Sequence, residues 1–441
     1  MTERTARSAV LRAEIMERVR ALHDLDHAAQ PFVPGETYVA YSGRVFDGSE
    51  VEALVASALD AWITAGPYAV QFERALADYT GARGAVFVNS GSSANLLALA
   101  GCTSPKLERP LVAGDEVVTA AAAFPTTVNP IVQVGCVPVF VDVELGTYNP
   151  DPERIERAIG PRTRAIMVAH AVGNPFDAVA YRALADRHGL FLIEDTCDAL
   201  GGSLAGKMLG TFGDFGTVSF YPAHQMTTGE GGAVLCNDPA RQKIVESFRD
   251  WGKDCWCEPG KDNTCGKRFG WQLGQLPEGY DHKYIFSHIG YNLKATDLQA
   301  AVGVAQLRRL PSFVARRRQN FAGLHRVLEP FQDLLVLPRS DPRAEPCWYA
   351  FPITVRPEAP FTKNEFVAFL EERRIATRSL FGGNLLRQPA WDGARYRVAG
   401  SLANSDTIMS STFLVGVYPG IDDERLDYMQ RTLQAFLTRR P

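Results

Sequence analysis

Several features of common protein classes are missing from this sequence. No run approaches the ~18 consecutive apolar residues that a membrane-spanning helix needs, and residues 1–20 alternate charged with apolar side chains and have no apolar signal-peptide core. The formal net charge is −4 at pH 7, so the basic excess typical of nucleic-acid-binding proteins is absent. We therefore expect a cytoplasmic protein that binds neither a membrane nor nucleic acid and that holds any phosphate-bearing ligand by local groups.

Internal repeats and low-complexity tracts are also lacking, and cysteine is scarce. The eight cysteines are unlike a disulfide framework, because the expected compartment is reducing. Three of them, Cys255, Cys257 and Cys265, crowd into a polar stretch within residues 251–291. A long irregular segment inside a compact protein is usually functional. Four others lie in apolar surroundings and are expected to be buried: Cys102, Cys136, Cys236 and Cys347.

What the sequence does contain is a series of short apolar runs separated by helical or loop stretches. The runs are continuous rather than alternating, which predicts strands buried on both faces. With helices between them, they predict an α/β fold whose mostly parallel, seven-stranded sheet is covered by helices. The runs are 84–88, 116–120, 136–141, 164–169, 190–194, 216–220 and 232–236.

The 441 residues are enough for two or three domains. Apolar side chains between Val10 and Leu22 follow helical spacing and predict an amphipathic helix docked on the body. We predict an N-terminal helix and arm (1–48), a large domain (49–310) and a smaller C-terminal α+β domain (311–441). Further predicted elements are helices at 49–62, 363–372 and 422–438 and a strand at 348–355.

Two segments point to a ligand site. Asn-Ser-Gly-Ser-Ser-Ala-Asn at residues 89–95 follows a predicted strand and opens a helix, and free amides at a helix N-terminus attract anions such as phosphate. Asp195 ends another strand, where ligands of open α/β sheets gather, and its carboxylate can bond a pyridinium nitrogen. A simple helix cap in the first segment and a turn aspartate in the second are the alternatives.

The motif that decides the resemblance is Ser-Phe-Tyr-Pro-Ala-His-Gln-Met-Thr-Thr-Gly-Glu-Gly-Gly at residues 219–232. It resembles the sugar aminotransferase family related to DegT, DnrJ, EryC and StrS, built on the aspartate aminotransferase fold (pyridoxal-phosphate fold type I). That family has Ser-Phe-x-x-x-Lys-x-x-x-x-Gly-Glu-Gly-Gly, and its lysine forms the Schiff base with pyridoxal phosphate. His224 stands at the lysine position. The likeness extends from about Gly48 to the C-terminus and includes residues 114–119, 138–143, 194–195 and 290–301.

The histidine narrows the resemblance to the nucleotide-linked 4-keto-6-deoxyhexose 3-dehydratases, which work from pyridoxamine phosphate. Such an enzyme needs a base for the cofactor's C4′ proton rather than an internal Schiff base, and an imidazole suits this. The family usually carries other residues at the positions of Asp198 and Tyr221. Either these two side chains adapt the site to elimination, or they serve only local packing. The resemblance further implies these cofactor contacts: Gly91, Ser92 and Ser219 for the phosphate, Phe124 stacked on the ring, Asp195 at its nitrogen, and Asn292 reaching the phosphate of the neighbouring subunit in a homodimer.

Four cysteines have the spacing Cys-x57-Cys-x-Cys-x7-Cys: Cys197, Cys255, Cys257 and Cys265. The spacing matches the iron–sulfur subgroup of these dehydratases, so the resemblance implies a 2Fe–2S cluster fed by a separate NADH-dependent flavin/iron–sulfur reductase. Spacing alone does not separate this cluster from other clusters or from structural zinc. Glu258, Pro259 and Gly260 favour a folded loop that aims the sulfurs inward, and Cys197 places the metal near the cofactor ring.

The leading interpretation is pyridoxamine-phosphate- and iron–sulfur-dependent C3 deoxygenation of a CDP- or TDP-linked 4-keto-6-deoxyhexose in deoxysugar biosynthesis. One alternative is a cluster-free dehydratase that regains its amine from glutamate. Another is an aminotransferase-like or catalytically idle member of the family with structural zinc. The sequence identifies neither the nucleotide nor the residues that read its base.

Overall fold

The computed structural model describes residues 2–28, 30–257 and 261–438. Its helices are α1 (Glu3–Asp26), α2 (Gly48–Leu59), α3 (Pro67–Thr80), α4 (Gly91–Gly101), α5 (Pro125–Gln133), α6 (Pro152–Ala158), α7 (Ala178–His188), α8 (Pro239–Arg249), α9 (Asp297–Leu328), α10 (Lys363–Glu372), α11 (Ala403–Ser411) and α12 (Asp423–Leu437). Its strands are β1 (Gly84–Val88), β2 (Glu116–Ala120), β3 (Val137–Val141), β4 (Thr163–Ala169), β5 (Phe191–Asp195), β6 (Ser203–Leu204), β7 (Lys207–Met208), β8 (Phe215–Ser219), β9 (Gly232–Cys236), β10 (Leu335–Val336), β11 (Ala344–Glu345), β12 (Ala350–Val355), β13 (Thr377–Ser379), β14 (Arg397–Val398) and β15 (Thr412–Gly416).

The main sheet has the order β1-β9-β8-β5-β4-β2-β3-β14. Strand β9 is antiparallel to both neighbours, and the remaining pairs are parallel. All seven predicted runs form strands, but the sheet has eight rather than the seven expected. The eighth, β14, pairs Arg397 with Val139 at the sheet edge. It covers two residues of a polar stretch and therefore has no apolar run to reveal it.

The C-terminal part forms a second core around a four-stranded antiparallel sheet, β10-β12-β15-β13. Helices α10 and α12 contribute buried aromatic and aliphatic side chains to this core, Phe366 and Met429 among them. Helix α9 runs through Pro311 without a break, so the boundary that we placed at 310/311 falls inside a helix that serves both cores. The division into domains stays a prediction.

Helix α1 exists where the sequence predicts it and docks against α2, but the expected packing of its apolar side chains is wrong. None of its residues is buried, and Val10 and Leu22 are 57% and 58% exposed. Polar contacts to α2 hold it instead: Arg20 Nη2 donates to the Glu52 carboxylate at 2.9 Å, and Arg12 pairs with Asp60 at 2.9 Å. No helix within the described ranges is both long and apolar enough to cross a membrane.

The segment 251–291 is irregular, as predicted, apart from one 3₁₀ turn at His282–Tyr284 in its described part. His288 anchors its end to the body of the protein. Its Nε2 lies 2.7 Å from Ser104 Oγ and its Nδ1 lies 2.7 Å from Ser247 Oγ. The predicted turn residues Glu258, Pro259 and Gly260 lie outside the described residues.

Candidate active site

A cavity of about 560 Å³ opens where β5 ends and α4 begins, between the main sheet and the C-terminal core. Nine of the predicted site residues line it: Gly91, Ser92, Phe124, Asp195, Cys197, Asp198, Ser219, Tyr221 and His224. Asn292, Cys255, Cys257 and Cys265 do not line it. The structure therefore gathers the predicted phosphate, ring and base residues at one place, which is the carboxyl end of parallel strands where ligands bind in such sheets.

The N-terminus of α4 forms one wall. Ser90 caps the helix, its Oγ accepting from the Ser93 backbone N–H at 3.1 Å. A Cβ at Gly91 would lie 2.4 Å from the Ser219 Cβ, and one at Gly232 would lie 2.4 Å from the Ser90 carbonyl carbon. Only glycines permit this close approach of helix and strands. It places helix-terminal amides beside the Ser219 side chain, an arrangement that suits a phosphate.

Asp195 is the last residue of β5 and is 4% exposed. Its Oδ2 accepts from Asn95 Nδ2 at 2.8 Å and from Thr127 Oγ1 at 2.7 Å, while Oδ1 accepts from the Cys197 backbone N–H at 3.1 Å. These three donors fix the carboxylate at the cavity wall. Sequence reasoning placed Asn95 in the 89–95 segment but missed its role, as it missed Thr127, because their common partner Asp195 lies far along the chain.

His224 lies in the turn after β8, where its backbone N–H donates to the Tyr221 carbonyl at 3.0 Å. Its Nδ1 is 3.4 Å from Asp198 Oδ1, and Nδ1 has no hydrogen-bond partner among the residues that the structure describes. The Tyr349 ring lies 5.4 Å away between centroids. The imidazole and a carboxylate 3.4 Å away thus line the same cavity, and a base and its orienting group are neighbours of this kind in many enzymes.

Arg317 supports that turn from α9, and no sequence motif marks it. The side chain is 1% exposed, and burial lowers the pKa of its guanidinium. It donates to the backbone carbonyls of His224 at 2.8 Å and Tyr349 at 3.0 Å. One buried cation thus ties together two segments that border the cavity.

Aromatic side chains form the mouth of the cavity. Tyr221 and Phe124 are each 52% exposed, and the Phe124 ring lies 6.4 Å from that of Phe381. Tyr41 comes from the N-terminal arm, and burial raises the pKa of its phenol well above the usual value. Arg378 lines the same side, its guanidinium 5.7 Å from the Tyr41 ring centroid. Neither Tyr41 nor Arg378 had a sequence motif that would have marked it.

The four predicted metal-ligating cysteines divide between two places. Cys197 lies in the large cavity beside Asp195, and burial, with that carboxylate as a second cause, raises the pKa of its thiol well above the usual value. The other three border a small separate cavity together with Asn263, Arg268, His282 and Lys283. Within the described ranges, no three histidine, cysteine or acidic residues are arranged to hold a metal ion. Among the described residues the four cysteines therefore do not line one cavity, and the metal site stays a prediction.

The small cavity nevertheless has the donor chemistry of a metal site. The Thr264 hydroxyl donates to Cys257 Sγ at 3.1 Å and lowers the pKa of that thiol to about 7, whereas burial raises the pKa of Cys255. Cys265 Sγ accepts from the Lys267 backbone N–H at 3.4 Å. Thiol and imidazole groups are the ligand types of iron–sulfur and zinc centres, but in the described part of the chain they are not arranged to hold an ion.

Asn292 is exposed and lies outside the large cavity. Its side-chain oxygen accepts from Lys294 Nζ at 2.8 Å. A role toward a neighbouring subunit is compatible with this exposure and remains a prediction.

Residues 46–434 match the DegT/DnrJ/EryC1/StrS aminotransferase family. The chain belongs to this family. The resemblance read from residues 219–232 is thereby confirmed.

Relatives within the family include nucleotide-sugar dehydratases. The chain is 51% identical to the lipopolysaccharide biosynthesis protein RfbH of Salmonella typhimurium over 97% of this chain and 98% of that protein. It is 53% identical to the dTDP-4-dehydro-2,6-dideoxy-D-glucose 3-dehydratase of Saccharopolyspora spinosa, over 96% and 92%. Among solved structures, an E. coli GDP-4-keto-6-deoxy-D-mannose-3-dehydratase with bound hydrated PLP matches with a TM-score of 0.80 and 26% identity, covering 90% of this chain and all of that one. The predicted aminotransferase-type fold is confirmed.

Proposed function

We propose that this protein is a 3-dehydratase of nucleotide-linked 4-keto-6-deoxyhexoses that works with pyridoxamine phosphate. The observation that carries the proposal is His224 at the family's lysine position, in one cavity with Asp195 and the N-terminus of α4. An aminotransferase of this family needs that lysine, so its replacement by an imidazole favours a reaction without an internal Schiff base. The name of the Saccharopolyspora relative supports the same reaction class.

The cavity walls suit each part of that cofactor. The amides at the start of α4, with Ser92 and Ser219, would bind the phosphate, and Asp195 would accept the N–H of the pyridinium ring. Phe124 would cover one face of the ring. When bound, pyridoxamine phosphate supplies an amine for the substrate's C4 ketone and a ring that stabilises negative charge.

His224 then acts as the base that holds the proton leaving the cofactor's C4′ carbon. Asp198, whose Oδ1 lies 3.4 Å from Nδ1, would orient the imidazole. Tyr221 stands at the mouth, 6.5 Å from the imidazole between ring centroids, and helps to enclose the sugar. Arg317 keeps the turn that carries His224 in place.

A net C3 deoxygenation also needs two electrons, and we propose that a 2Fe–2S cluster delivers them. Cys255, Cys257 and Cys265 would hold it, with Cys197 as the predicted fourth ligand. Support comes from the three thiols around one cavity and from the lowered pKa of Cys257, because thiolates are the ligating form. The electron source would be a separate NADH-dependent flavin/iron–sulfur reductase, and the enzyme would act as a homodimer with Asn292 at the subunit boundary.

The cluster-free, glutamate-dependent dehydratase is the second candidate, and a specific observation favours it. Cys197 does not border the cavity of the other three cysteines. A solved GDP-4-keto-6-deoxymannose-3-dehydratase with a trapped PLP-glutamate geminal diamine shares the fold at a TM-score of 0.78 and 26% identity, covering 90% of this chain and all of that one.

One assay separates the candidates. Anaerobically purified protein is given pyridoxamine phosphate and CDP-, TDP- or GDP-linked 4-keto-6-deoxyhexose, with either a chemical reductant or glutamate. We expect the 3-deoxy product with reductant, whereas glutamate-dependent turnover would establish the second candidate. Amino-sugar formation with the C3 hydroxyl retained would overturn the dehydratase proposal.

A histidine variant tests the base. His224→Asn should slow exchange of the C4′ hydrogen with solvent by about 10²- to 10⁴-fold, while its affinity for pyridoxamine phosphate stays near that of the wild type. The control is His188→Asn, at an exposed position in the last turn of α7, which should exchange normally. Unchanged exchange in a folded His224→Asn protein would assign the base to another residue, with Tyr221 and Asp198 the first to test.

A further inference from the structure

One wall of the large cavity has no part in the proposed cofactor contacts. It is built by the N-terminal arm and by β13, which contribute Tyr41 and Arg378. Backbone hydrogen bonds join these two segments: the Val39 N–H donates to the Arg374 carbonyl at 2.8 Å, and the Ala376 N–H donates to the Val39 carbonyl at 3.0 Å. Because the arm runs beside the C-terminal core here, side chains from distant parts of the sequence meet at this wall.

The charges that line the cavity are unevenly placed. Among the described residues, Arg378 is its one lysine or arginine side chain, whereas Asp195, Asp198 and Glu230 supply three carboxylates. These carboxylates repel an anionic ligand, and the cation attracts it. Since the N-terminus of α4 is assigned to the phosphate of the cofactor, any further anionic group of a ligand has Arg378 as its partner.

The guanidinium of Arg378 is exposed and retains donors for a ligand. Its backbone is fixed in the antiparallel sheet, where Arg378 pairs with Leu414 of β15. Its Nη1 donates to the Thr377 carbonyl at 2.7 Å, and its Cζ lies 5.7 Å from the Tyr41 ring centroid. Within the described ranges no carboxylate is among its contacts. A guanidinium carries five N–H donors in a planar fork, so most of them remain available.

We propose that Arg378 binds the diphosphate of the nucleotide-linked sugar and thereby selects nucleotide-linked sugars over free ones. This inference rests on the nucleotide-sugar part of the proposed function. The planar fork of an arginine donates two parallel N–H groups to phosphate oxygens, which a lysine ammonium does not do. The diphosphate joins the sugar to the nucleoside, so its binding at the exposed Arg378 places the sugar inward, toward His224, and the nucleoside outward at the mouth of the cavity.

The test measures the binding of nucleoside diphosphates to the protein loaded with pyridoxamine phosphate, by calorimetry. CDP, TDP and GDP are each compared with the corresponding uncharged nucleoside, because this ratio isolates the contribution of the diphosphate. Arg378→Gln should bind the preferred diphosphate roughly 10- to 100-fold more weakly than the wild type does and should bind the nucleoside equally well. Arg378→Lys, which keeps the charge but not the fork, should recover part of this loss.

The matched control is Arg395→Gln. The Arg395 side chain is also exposed, but it does not line the cavity, so this variant should bind the diphosphates as the wild type does. Affinity for pyridoxamine phosphate, measured in all the variants, shows that each is folded and that the cofactor site is intact.

Three results would overturn the inference. Equal diphosphate affinity in the wild type and Arg378→Gln would mean that the guanidinium does not contact the diphosphate. Weaker binding of pyridoxamine phosphate by Arg378→Gln would assign the guanidinium to the cofactor, and a wild type without preference for diphosphates over nucleosides would remove the site altogether. None of these measurements needs turnover, so amino-sugar formation in the assay above would overturn the dehydratase proposal and leave a diphosphate site at Arg378 standing.

Discussion

Asp195 and His224 have different tasks in the proposed site: one binds the ring nitrogen and the other takes a proton. The orientation of each side chain is fixed by residues that lie far away in the sequence. Asn95 and Thr127 hold the carboxylate, and Arg317 holds the turn of the imidazole. The orientation of both groups is therefore set by the tertiary structure rather than by the motifs that contain them.

Thr127→Val should weaken the binding of pyridoxamine phosphate. It removes one hydroxyl donor to Asp195 Oδ2, and a hydrogen bond to a charged group contributes about 1.5–3 kcal/mol, so we expect roughly 10- to 100-fold weaker binding. An absorbance titration measures it. Thr119→Val is the matched control, because the Thr119 hydroxyl is buried without a partner in the described part of the chain. Equal affinity in the two variants would mean that Thr127 does not support the ring-binding carboxylate.

How far the sequence predicts the site depends on where each residue's partner lies. Nine of the predicted site residues line one cavity, and their roles stay predictions. Arg317 and Arg378 were missed, because nothing local distinguishes them, and Asn95 was predicted only as part of the phosphate segment and not as a partner of Asp195. The sequence analysis expected Cys197 to lie with the loop cysteines because their spacing matches that of the iron–sulfur subgroup. Spacing describes distance along the chain and not distance in space, so this placement stays a prediction.

At the scale of elements, α4 approaches β8 closely at Gly91, where a Cβ would have no room. Three predicted strands, β1, β2 and β9, match their expected bounds, because a continuous apolar run is a strong local signal. Strand β14 and the exposed face of α1 were not predicted. Strand β14 forms by pairing with β3, which is distant in the sequence. The periodicity of α1 predicts a helix but does not say which part of the protein covers its apolar side chains.

Gly91→Ala should abolish tight cofactor binding while the rest of the fold persists. The new Cβ would lie 2.4 Å from Ser219 Cβ, so helix and strand must separate, and overpacking of this kind costs about 1–3 kcal/mol. We expect at least about a tenfold loss of affinity for pyridoxamine phosphate and for inorganic phosphate. Gly160→Ala is the control, since its Cβ would find no atom closer than 3.7 Å. Normal phosphate binding by Gly91→Ala would move the phosphate site elsewhere.

The anchor of the 251–291 segment should depend on pH through His288. Burial, and then the nearby charge of Lys106, lower the pKa of this imidazole, while Asp254 opposes them. The unfolded chain therefore binds the proton more readily than the folded one. The contribution of His288 to the free energy of unfolding is fully present above the unfolded pKa of about 6.5, and it is lost as the pH falls from there through the lower folded pKa. Urea unfolding of the wild type should show this loss between pH 7.5 and roughly 5.5.

His288→Gln should be less stable at pH 7.5 but should lose less of its unfolding free energy as the pH falls. The Ser104 and Ser247 contacts to the ring are absent from this variant, and it has no titrating group at the anchor. His188→Gln serves as the exposed comparison. Parallel pH profiles for the wild type and His288→Gln would show that the anchor does not titrate in this range.

At the scale of the whole molecule, α9 is the element that both cores share. Its first residue, Asp297, accepts from the backbone N–H groups of Gly66 at 3.0 Å and Ala69 at 2.8 Å at the start of α3. Arg317 contacts the turn of His224, and Asn320 donates to the carbonyl of Ile421 at 3.0 Å in the C-terminal core. The base of the proposed reaction is thus attached to the helix that joins the two cores.

Because α9 continues through Pro311, splitting the protein into two fragments at 310/311 would divide this helix. Separately encoded fragments 1–310 and 311–441 would each hold part of one helix, with Asp297 on the first and both Arg317 and Asn320 on the second. We expect these fragments not to restore cofactor binding when they are co-expressed. A break at 340/341, in an exposed irregular connection after β10, leaves the helix whole, and fragments divided there should reassociate and bind pyridoxamine phosphate. Reconstitution from the first pair would show that the two parts of α9 form and pair without a covalent link.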